Sequence, residues 1–133
     1  MYTEGKMSTV KIISTEKAPA AIGPYVQGKV INGFLFASGQ IPLDPVTGKL
    51  VEGDITQQAR QALKNVQALV EEAGSSLERV VKTTCFLKNI DDFAAFNTVY
   101  AEFFRENPPA RSCVGKIDLP KGALCEIEII AAV

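Results

Sequence analysis

The sequence DITQQARQALKNVQALVEEAG, residues 54–74, carries the strongest secondary-structure signal in the chain. Its apolar residues recur at intervals of three and four, which is the pattern of a helix with one buried face. Asp54 stands at the N-cap position with Gln57 three residues later, and Gly74 stands where a left-handed C-cap belongs. We therefore predict an amphipathic helix over residues 55–73, and its apolar face must pack against another element.

Strand patterns lie on both sides of this helix. After it, VVKTTCFL at residues 80–87 is rich in β-branched and apolar residues, which favours a strand. Before it, residues 25–31 and 34–38 enclose Asn32-Gly33, the dipeptide typical of a type I′ hairpin turn. Residues 10–13 are a candidate for a short edge strand. The helix is thus predicted to pack on a sheet.

The second half of the chain repeats this alternation. Aromatic residues on one side predict a helix over residues 92–105, which Asp91 can cap and Pro108-Pro109 ends. Two closing strands are predicted over residues 111–117 and 124–133. The order βββ-α-β-α-ββ indicates a single α+β domain, with one sheet and both helices packed on one face.

The domain boundaries follow from composition. We assign residues 9–133 to this single domain and the polar residues 1–8 to a flexible N-terminal tail. Alternation places the apolar residues 125, 127, 129, 131 and 133 on one side of the last strand. The sheet face away from the helices also needs a cover, and partner subunits are a natural one for a chain of this size.

The charge and cysteine content limit the partners. The chain has 133 residues, with 15 acidic and 14 basic side chains that give a formal charge of -1. The basic residues are scattered, so the charge gives no reason to expect a nucleic-acid partner. We find no membrane-spanning apolar run and no signal-peptide pattern. Cys85, Cys113 and Cys125 are odd in number and widely spaced, which suggests free thiols and a cytoplasmic protein.

The chain contains no histidine. This excludes Ser-His-Asp and Cys-His nucleophile systems and a two-histidine nuclease. A general base must then be a carboxylate, a lysine, a tyrosine or a cysteine with a shifted pKa. The sequence also shows no phosphate loop, dinucleotide fingerprint or acidic metal cluster, so we predict no metal and no cofactor.

Two charged positions are candidates for chemistry, each with an ordinary alternative. Arg111 begins a strand at the end of the sheet, where a guanidinium can grip a carboxylate through two hydrogen bonds; a structural ion pair is the alternative. Glu126 and Glu128 share one face of the last strand. One of them could act as a base that positions water, or both could be ordinary carboxylates exposed to solvent. The residues alone leave both pairs of alternatives open.

Four other residues are weaker candidates. Cys113 shares a side with Arg111 but has no activating histidine, so a small core residue is the simpler interpretation. Tyr25 opens a strand, and Ser38-Gly39 closes the second strand of the hairpin. A glycine there allows a ligand to approach backbone N–H groups, although Gly39 can equally serve only the turn.

Five stretches together closely resemble the Rid/YjgF family of reactive-intermediate imine deaminases, also labelled endoribonuclease L-PSP. They cover nearly the whole domain from about residue 15. The stretches are APAAIGPYVQG (18–28), ASGQIPLDPVTG (37–48), VVKTTCFLKNIDDFAAFNTVY (80–100), PARSCV (109–114) and LPKGALCEIEIIA (119–131).

The resemblance implies a chorismate-mutase-like fold and a homotrimer with three clefts at the subunit interfaces. It implies hydrolysis of 2-iminobutanoate and 2-iminopropanoate to 2-keto acids and ammonia. Arg111 would bind the substrate carboxylate and Glu126 would position the attacking water. The two residues, from neighbouring strands, are therefore expected to face each other across a pocket large enough for a small acid. The remaining cleft-lining positions that the resemblance implies are Tyr25, Ser38, Gly39, Asn97 and Cys113.

This chemistry suits a chain without histidine, because a protonated imine is already electrophilic and needs only an oriented water. Gly115, Lys116 and Asp118 depart from the family's commonest pattern after the Arg and Cys. These departures leave the cleft shape and the substrate preference open, and they do not affect the reaction class that the resemblance implies. Two competing interpretations are an endoribonuclease or translation inhibitor, and a trimer that binds keto acids without turnover. The latter needs Arg111 but not Glu126.

Overall fold

The computed structural model describes residues 8–133, which form one six-stranded sheet and two α-helices. Three one-turn 3-10 helices lie at Leu77–Arg79, Ile90–Asp92 and Pro120–Gly122. The predicted element order βββ-α-β-α-ββ is confirmed. In chain order, the elements are β1 Lys11–Ile13, β2 Gly28–Ile31, β3 Phe34–Gln40, α1 Ile55–Glu72, β4 Val80–Leu87, α2 Phe93–Phe103, β5 Ala110–Val114 and β6 Cys125–Ala132.

The sheet is mixed, with the strand order β1-β2-β3-β6-β4-β5. All neighbouring strands are antiparallel except β4 and β5, which are parallel. Parallel neighbours need a crossover, and α2 lies within the connection between them. The last strand, β6, lies in the interior of the sheet between β3 and β4. It therefore carries residues from the end of the chain to the middle of the molecule.

Local signals at the first helix and the hairpin are confirmed. The Asp54 carboxylate accepts a hydrogen bond from the Thr56 N–H, and the Gln57 amide oxygen accepts one from the Asp54 N–H, both at 2.9 Å. This reciprocal pair satisfies two N–H groups at the start of α1. At the hairpin, Asn32 and Gly33 both have positive φ, 51° and 80°, as a type I′ turn requires.

Several predicted boundaries need correction. Asp91 does not cap α2, because it lies inside the 3-10 turn that precedes the helix; Asp92 occupies the N-cap and makes no side-chain cap bond. Tyr25 lies in a loop ahead of β2 and opens no strand. Gly39 lies within β3 and does not follow it. The strand predicted over residues 111–117 ends earlier, at Val114.

The predicted N-terminal tail falls mostly outside the described residues, which begin at Ser8. The Ser8 hydroxyl donates a hydrogen bond to the Asn32 side-chain oxygen at 2.6 Å, so this residue contacts the hairpin turn. No helix within residues 8–133 combines the length and the apolar content that crossing a membrane would require.

The core lies between the sheet and the two helices. The apolar stripe of α1 is buried, and α1 packs against β3, β6 and α2. On β6, Cys125, Ile127, Ile129 and Ala131 alternate into this core and are all buried. The predicted alternation is therefore confirmed within the strand, and the helices cover that side. Val133, beyond the strand end, is exposed.

The opposite side of the sheet, which we call the open face, carries large apolar side chains exposed in the single chain. Phe34 and Phe36 of β3 are 42% and 47% exposed, and Ile12 and Val114 lie on the same face at similar exposure. Phe34 and Phe36 are neighbours on this face of β3, and an exposed apolar patch can mark an interaction surface in a folded protein. The expectation that this face needs a cover thus has a structural basis.

Candidate functional site

The strand register decides which way the two charged candidates point. On β4, Thr83 and Cys85 are buried on the helix side, and their register partners on β5 are Arg111 and Cys113. Residues directly opposite in a ladder share a face, so Arg111 and Cys113 also lie on the helix side. Glu126 pairs with Phe86, the β4 residue that follows Cys85 and points to the other side of the sheet, so Glu126 lies on the open face.

Within one chain, Arg111 and Glu126 therefore do not face each other across a pocket, and that expectation is wrong. Their strands are also not neighbours, because β4 lies between β5 and β6. The structure instead presents two separate groups. We call Arg111 with Asn97 and Cys113 the arginine half-site, and Glu126 with Gly39, Ser38 and Tyr25 the glutamate half-site.

The arginine half-site is built on α2. An Arg111 Nη1–H group donates to the Asn97 side-chain oxygen at 2.7 Å. The guanidinium carbon lies 4.6 Å from the ring centroid of Tyr100 and 5.3 Å from that of Phe93. Both distances are within the range of a cation–π contact. The spacing of these three α2 residues, four and then three, places them on one face of the helix.

The charge of Arg111 has no ionic partner in the described part of the chain. The ion pair that residues 8–133 contain joins Arg60 to Glu102, at 2.9 Å on the surface. The alternative interpretation of Arg111 as half of a structural ion pair is therefore not supported. A half-buried guanidinium with aromatic and amide neighbours is suited to an anion from outside the chain, such as a carboxylate.

Cys113 lies beside this guanidinium. Burial raises the pKa of the Cys113 thiol, and the Arg111 charge opposes this only in part. A thiol with a raised pKa is a weak nucleophile at neutral pH. Burial also raises the pKa of its register partner, Cys85, to about 12. The structure thus favours the simple interpretation of these cysteines as packing residues.

The glutamate half-site depends on a close approach between β3 and β6. A Cβ atom at Gly39 would overlap the Glu126 carboxylate, so the absence of a side chain is what makes room for it. Gly39 lies inside β3, so the alternative that it only serves a turn is wrong. The Ser38 hydroxyl donates to the Val26 carbonyl at 2.6 Å and holds the preceding loop.

The environment of Glu126 changes its acidity. The carboxylate is half-buried, and burial, followed by repulsion from Glu128, raises the pKa of Glu126 above its ordinary value. A carboxylate with a raised pKa is a better proton acceptor near neutral pH. It faces an open pocket of about 600 Å³ whose lining includes Tyr25, Ser38 and Lys121. This is enough room for a small acid and a water.

Buried amides that the sequence patterns did not single out hold the walls of this pocket. Asn65, within the buried stripe of α1, donates to the carbonyls of Ile41 and Leu43 at 3.2 and 3.0 Å. Gln27 donates to three carbonyls of the loop ahead of Tyr25. Asn65 could have been found from the sequence, because it is a polar residue on the apolar face of the predicted helix and a buried amide needs hydrogen-bond partners.

The sequence departures after Cys113 alter packing at the end of β5. A Cβ atom at Gly115 would lie 2.6 Å from the Ile90 side chain, so Ile90 occupies the space that a larger residue would need. Lys116, two residues beyond the end of β5, has positive φ, 56°. The departures thus leave the Arg111 contacts intact. Within residues 8–133, no three metal-binding side chains come close enough to hold an ion.

Fold and site together define a class of protein: a small α+β sheet domain with a cationic and a carboxylate half-site suited to a small acidic molecule. The family model described as Endoribonuclease L-PSP matches residues 15–133. The chain belongs to this family, which is also known as the Rid/YjgF family. The six-stranded sheet with two helices matches the solved structures of the family.

Similar proteins come from distant organisms. A Salmonella typhimurium protein named 2-iminobutanoate/2-iminopropanoate deaminase is 53% identical over 91% of this chain and 96% of its own length. The RutC family protein PH0854 of Pyrococcus horikoshii is also 53% identical, with the same coverage. The Rid-family structure YyfA from Yersinia pestis is 51% identical with a TM-score of 0.91, covering 94% of this chain and all of that one.

One similar structure contains a small acid. The structure of Escherichia coli TdcF with bound serine is 48% identical to this chain, with a TM-score of 0.88, and covers 92% of this chain and 98% of that one.

Proposed function

We propose that this protein hydrolyses reactive 2-imino and enamino acids, 2-iminobutanoate and 2-iminopropanoate among them, to 2-keto acids and ammonia. The observation that carries the proposal is the Arg111 guanidinium, which is held on aromatic rings and has no ionic partner in the described chain. The names of the relatives from Salmonella typhimurium and Escherichia coli, 53% and 52% identical, support the same reaction.

Arg111 would bind the substrate carboxylate. A guanidinium has five N–H donors, and Asn97 accepts one of them here. The others remain for two parallel hydrogen bonds to the carboxylate oxygens, which would orient the adjacent imine carbon. The serine bound to TdcF carries a carboxylate next to a carbon–nitrogen bond, as a 2-imino acid does.

Glu126 would direct the water. Water adds to the protonated imine carbon while the Glu126 carboxylate accepts its proton. Glu126 then returns this proton to the amino group of the tetrahedral intermediate. As the carbon–nitrogen bond breaks and ammonia leaves, the hydroxyl proton passes back to the Glu126 carboxylate and the carbonyl forms. The raised pKa of Glu126 suits both steps, because the group must accept a proton and return it near neutral pH.

The two half-sites would meet between copies of the chain. They lie on opposite faces of one sheet, so a single chain cannot bring them to one small molecule. We propose a homotrimer in which the open face of one copy receives the arginine half-site of the next. Such a head-to-tail contact closes into a ring with one cleft per interface. Tyr25, Ser38 and Gly39 would then line each cleft from one side, and Asn97 and Cys113 from the other.

The direct test couples the purified protein to a threonine dehydratase and follows the imine through its capture by semicarbazide. We expect faster release of 2-keto acid and less captured imine than with the dehydratase alone. Wild-type protein that changes neither quantity would refute the proposed reaction.

Two substitutions separate an enzyme from a protein that only binds keto acids. Glu126→Gln should abolish turnover and retain 2-oxobutanoate binding, measured by calorimetry, because Arg111 remains. Arg111→Ala should lose both. If Glu126→Gln left turnover unchanged, the water-directing role would be wrong. Incubation with RNA under the same conditions tests the endoribonuclease activity that the family description names.

A further inference from the structure

We propose that Tyr100 is a positioning residue for Arg111, with its ring supporting the guanidinium and its hydroxyl tied to Thr83. This inference rests on the proposed role of Arg111 as the carboxylate-binding group. Tyr100 would touch neither the reacting atoms nor the water. Its effect would pass through the placement of the guanidinium.

The first step of the argument is the position of the ring. Of the two rings beside the guanidinium, Tyr100 is nearer, at 4.6 Å against 5.3 Å for Phe93. Asn97 fixes Nη1 through one hydrogen bond, which does not by itself fix the plane of the guanidinium. A face of aromatic carbon beside that plane restricts its tilt, and the ring quadrupole attracts its charge.

The second step is the anchor of the ring. The Tyr100 hydroxyl lies 2.8 Å from the Thr83 hydroxyl, and both side chains are buried. Burial raises the pKa of the Tyr100 phenol, so it remains protonated and able to hydrogen-bond at neutral pH. Thr83 also accepts a weak bond from the Cys85 thiol at 3.8 Å. A buried hydroxyl pair of this kind holds the ring in one orientation.

The third step joins the two ends. Thr83 is the register partner of Arg111, so the residue that holds the Tyr100 hydroxyl also lies directly beside the Arg111 backbone. Tyr100 therefore bridges from α2 back to the point on the sheet where the Arg111 side chain starts. Thr83 on β4 therefore helps to fix both ends of Arg111: its backbone by strand pairing, and its guanidinium through the Tyr100 ring. A carboxylate that must be gripped by two parallel bonds requires this kind of precision.

The experiment compares four single variants and the double variant that combines Tyr100→Phe with Thr83→Val. Tyr100→Leu removes the ring, Tyr100→Phe removes only the hydroxyl, and Thr83→Val removes only its partner. Phe96→Leu is the matched control, because Phe96 packs in the same aromatic row, 5.8 Å from Tyr100 between ring centroids, and is fully buried. The thermal unfolding temperature of each variant is measured as well, to identify substitutions that lower stability without changing KM.

We expect Tyr100→Leu to raise the KM for the imine and the Kd for 2-oxobutanoate about fivefold, with kcat changed less than twofold. Tyr100→Phe and Thr83→Val should each give a smaller rise, and the double variant should not exceed the larger of the two. Phe96→Leu should lower Tm and leave KM unchanged. Equal KM in Tyr100→Leu and wild type, or a KM rise in Phe96→Leu matching that of Tyr100→Leu, would overturn the proposal.

A readout without turnover separates this inference from the proposed reaction. A proton held over an aromatic face resonates upfield, so the Arg111 Nε–Hε signal should move downfield in Tyr100→Leu and stay in place in Phe96→Leu. If the wild-type protein fails to hydrolyse the imine, the reaction is wrong and this signal still tests the positioning. If hydrolysis occurs and the signal does not move in Tyr100→Leu, only the positioning claim fails.

Discussion

Mixing two inactive variants tests whether the site is shared between chains. Arg111→Ala would remove the proposed charge-assisted contact to the substrate carboxylate, a loss of about 2–3 kcal/mol or roughly a hundredfold in rate. Glu126→Gln keeps the shape of the side chain and removes its ability to accept a proton. Each variant alone should therefore be nearly inactive in the semicarbazide assay.

The pairing of β4 with β5 and β6, which places Arg111 and Glu126 on opposite faces, predicts the result of mixing the Arg111→Ala and Glu126→Gln variants. If each cleft takes Arg111 from one chain and Glu126 from its neighbour, a variant with one intact residue can complement the other. For equal amounts mixed at random, half of the chains carry an intact Arg111 and half an intact Glu126. About a quarter of the clefts then contain both, so about a quarter of wild-type activity should return.

The subunits must exchange for this result to be informative. The mixture is dissociated in mild denaturant and reassembled, and native mass spectrometry of one isotopically labelled variant confirms mixed assemblies. Wild-type protein treated in the same way gives the reference rate. Verified exchange without recovery of activity would show that Arg111 and Glu126 act within one chain or not at all, and the reasoning from opposite sheet faces would be refuted.

Four further outcomes follow from single features of the structure. Gly39→Ala should lower kcat at least tenfold in the same assay with little change in Tm, because its Cβ displaces the Glu126 carboxylate; wild-type kcat would contradict this. Because the pKa of Glu126 is raised, a pH profile of kcat should lose activity on acidification at a higher pH than an ordinary carboxylate would give. Asp54→Ala should reduce the free energy of unfolding in urea by about 1 kcal/mol, since it removes the helix cap. Phe36→Glu should shift the sedimentation profile to smaller species, since a charge on the open face opposes its burial.

Local signals in the sequence predicted the elements well, because their causes are local. The period and caps of α1, and the positive φ that Asn32-Gly33 adopts, depend on residues within a few positions. Asp91 shows the limit of this reasoning, because a 3-10 turn before α2 moved the cap to the next residue. Capping depends on where the helix begins, and one turn of 3-10 structure changes that position.

The site could be predicted by residue but not by arrangement. Arg111 and Glu126 were recognised from their strands and from a family resemblance, yet their relative placement depends on how β5 and β6 pair with β4. That register is set by contacts between distant parts of the chain, and a shift of one residue would turn either side chain to the other face. The role of Gly39 likewise appears only when β6 is known to approach β3 closely.

Separation of the charges on opposite faces also has a physical consequence for the proposed cleft. An arginine and a glutamate free to meet in an empty site would pair with each other, and a substrate carboxylate would have to displace that pair. Here Arg111 is restrained within its own chain before any assembly, by Asn97 and the α2 rings, while Glu126 lies on the other face in the room that Gly39 leaves. Assembly would therefore bring an already oriented guanidinium to the carboxylate, with the space between them set by the interface. A guanidinium oriented before the substrate binds would lower the barrier to the proposed attack of water, since it then does not have to be reorganised during the reaction.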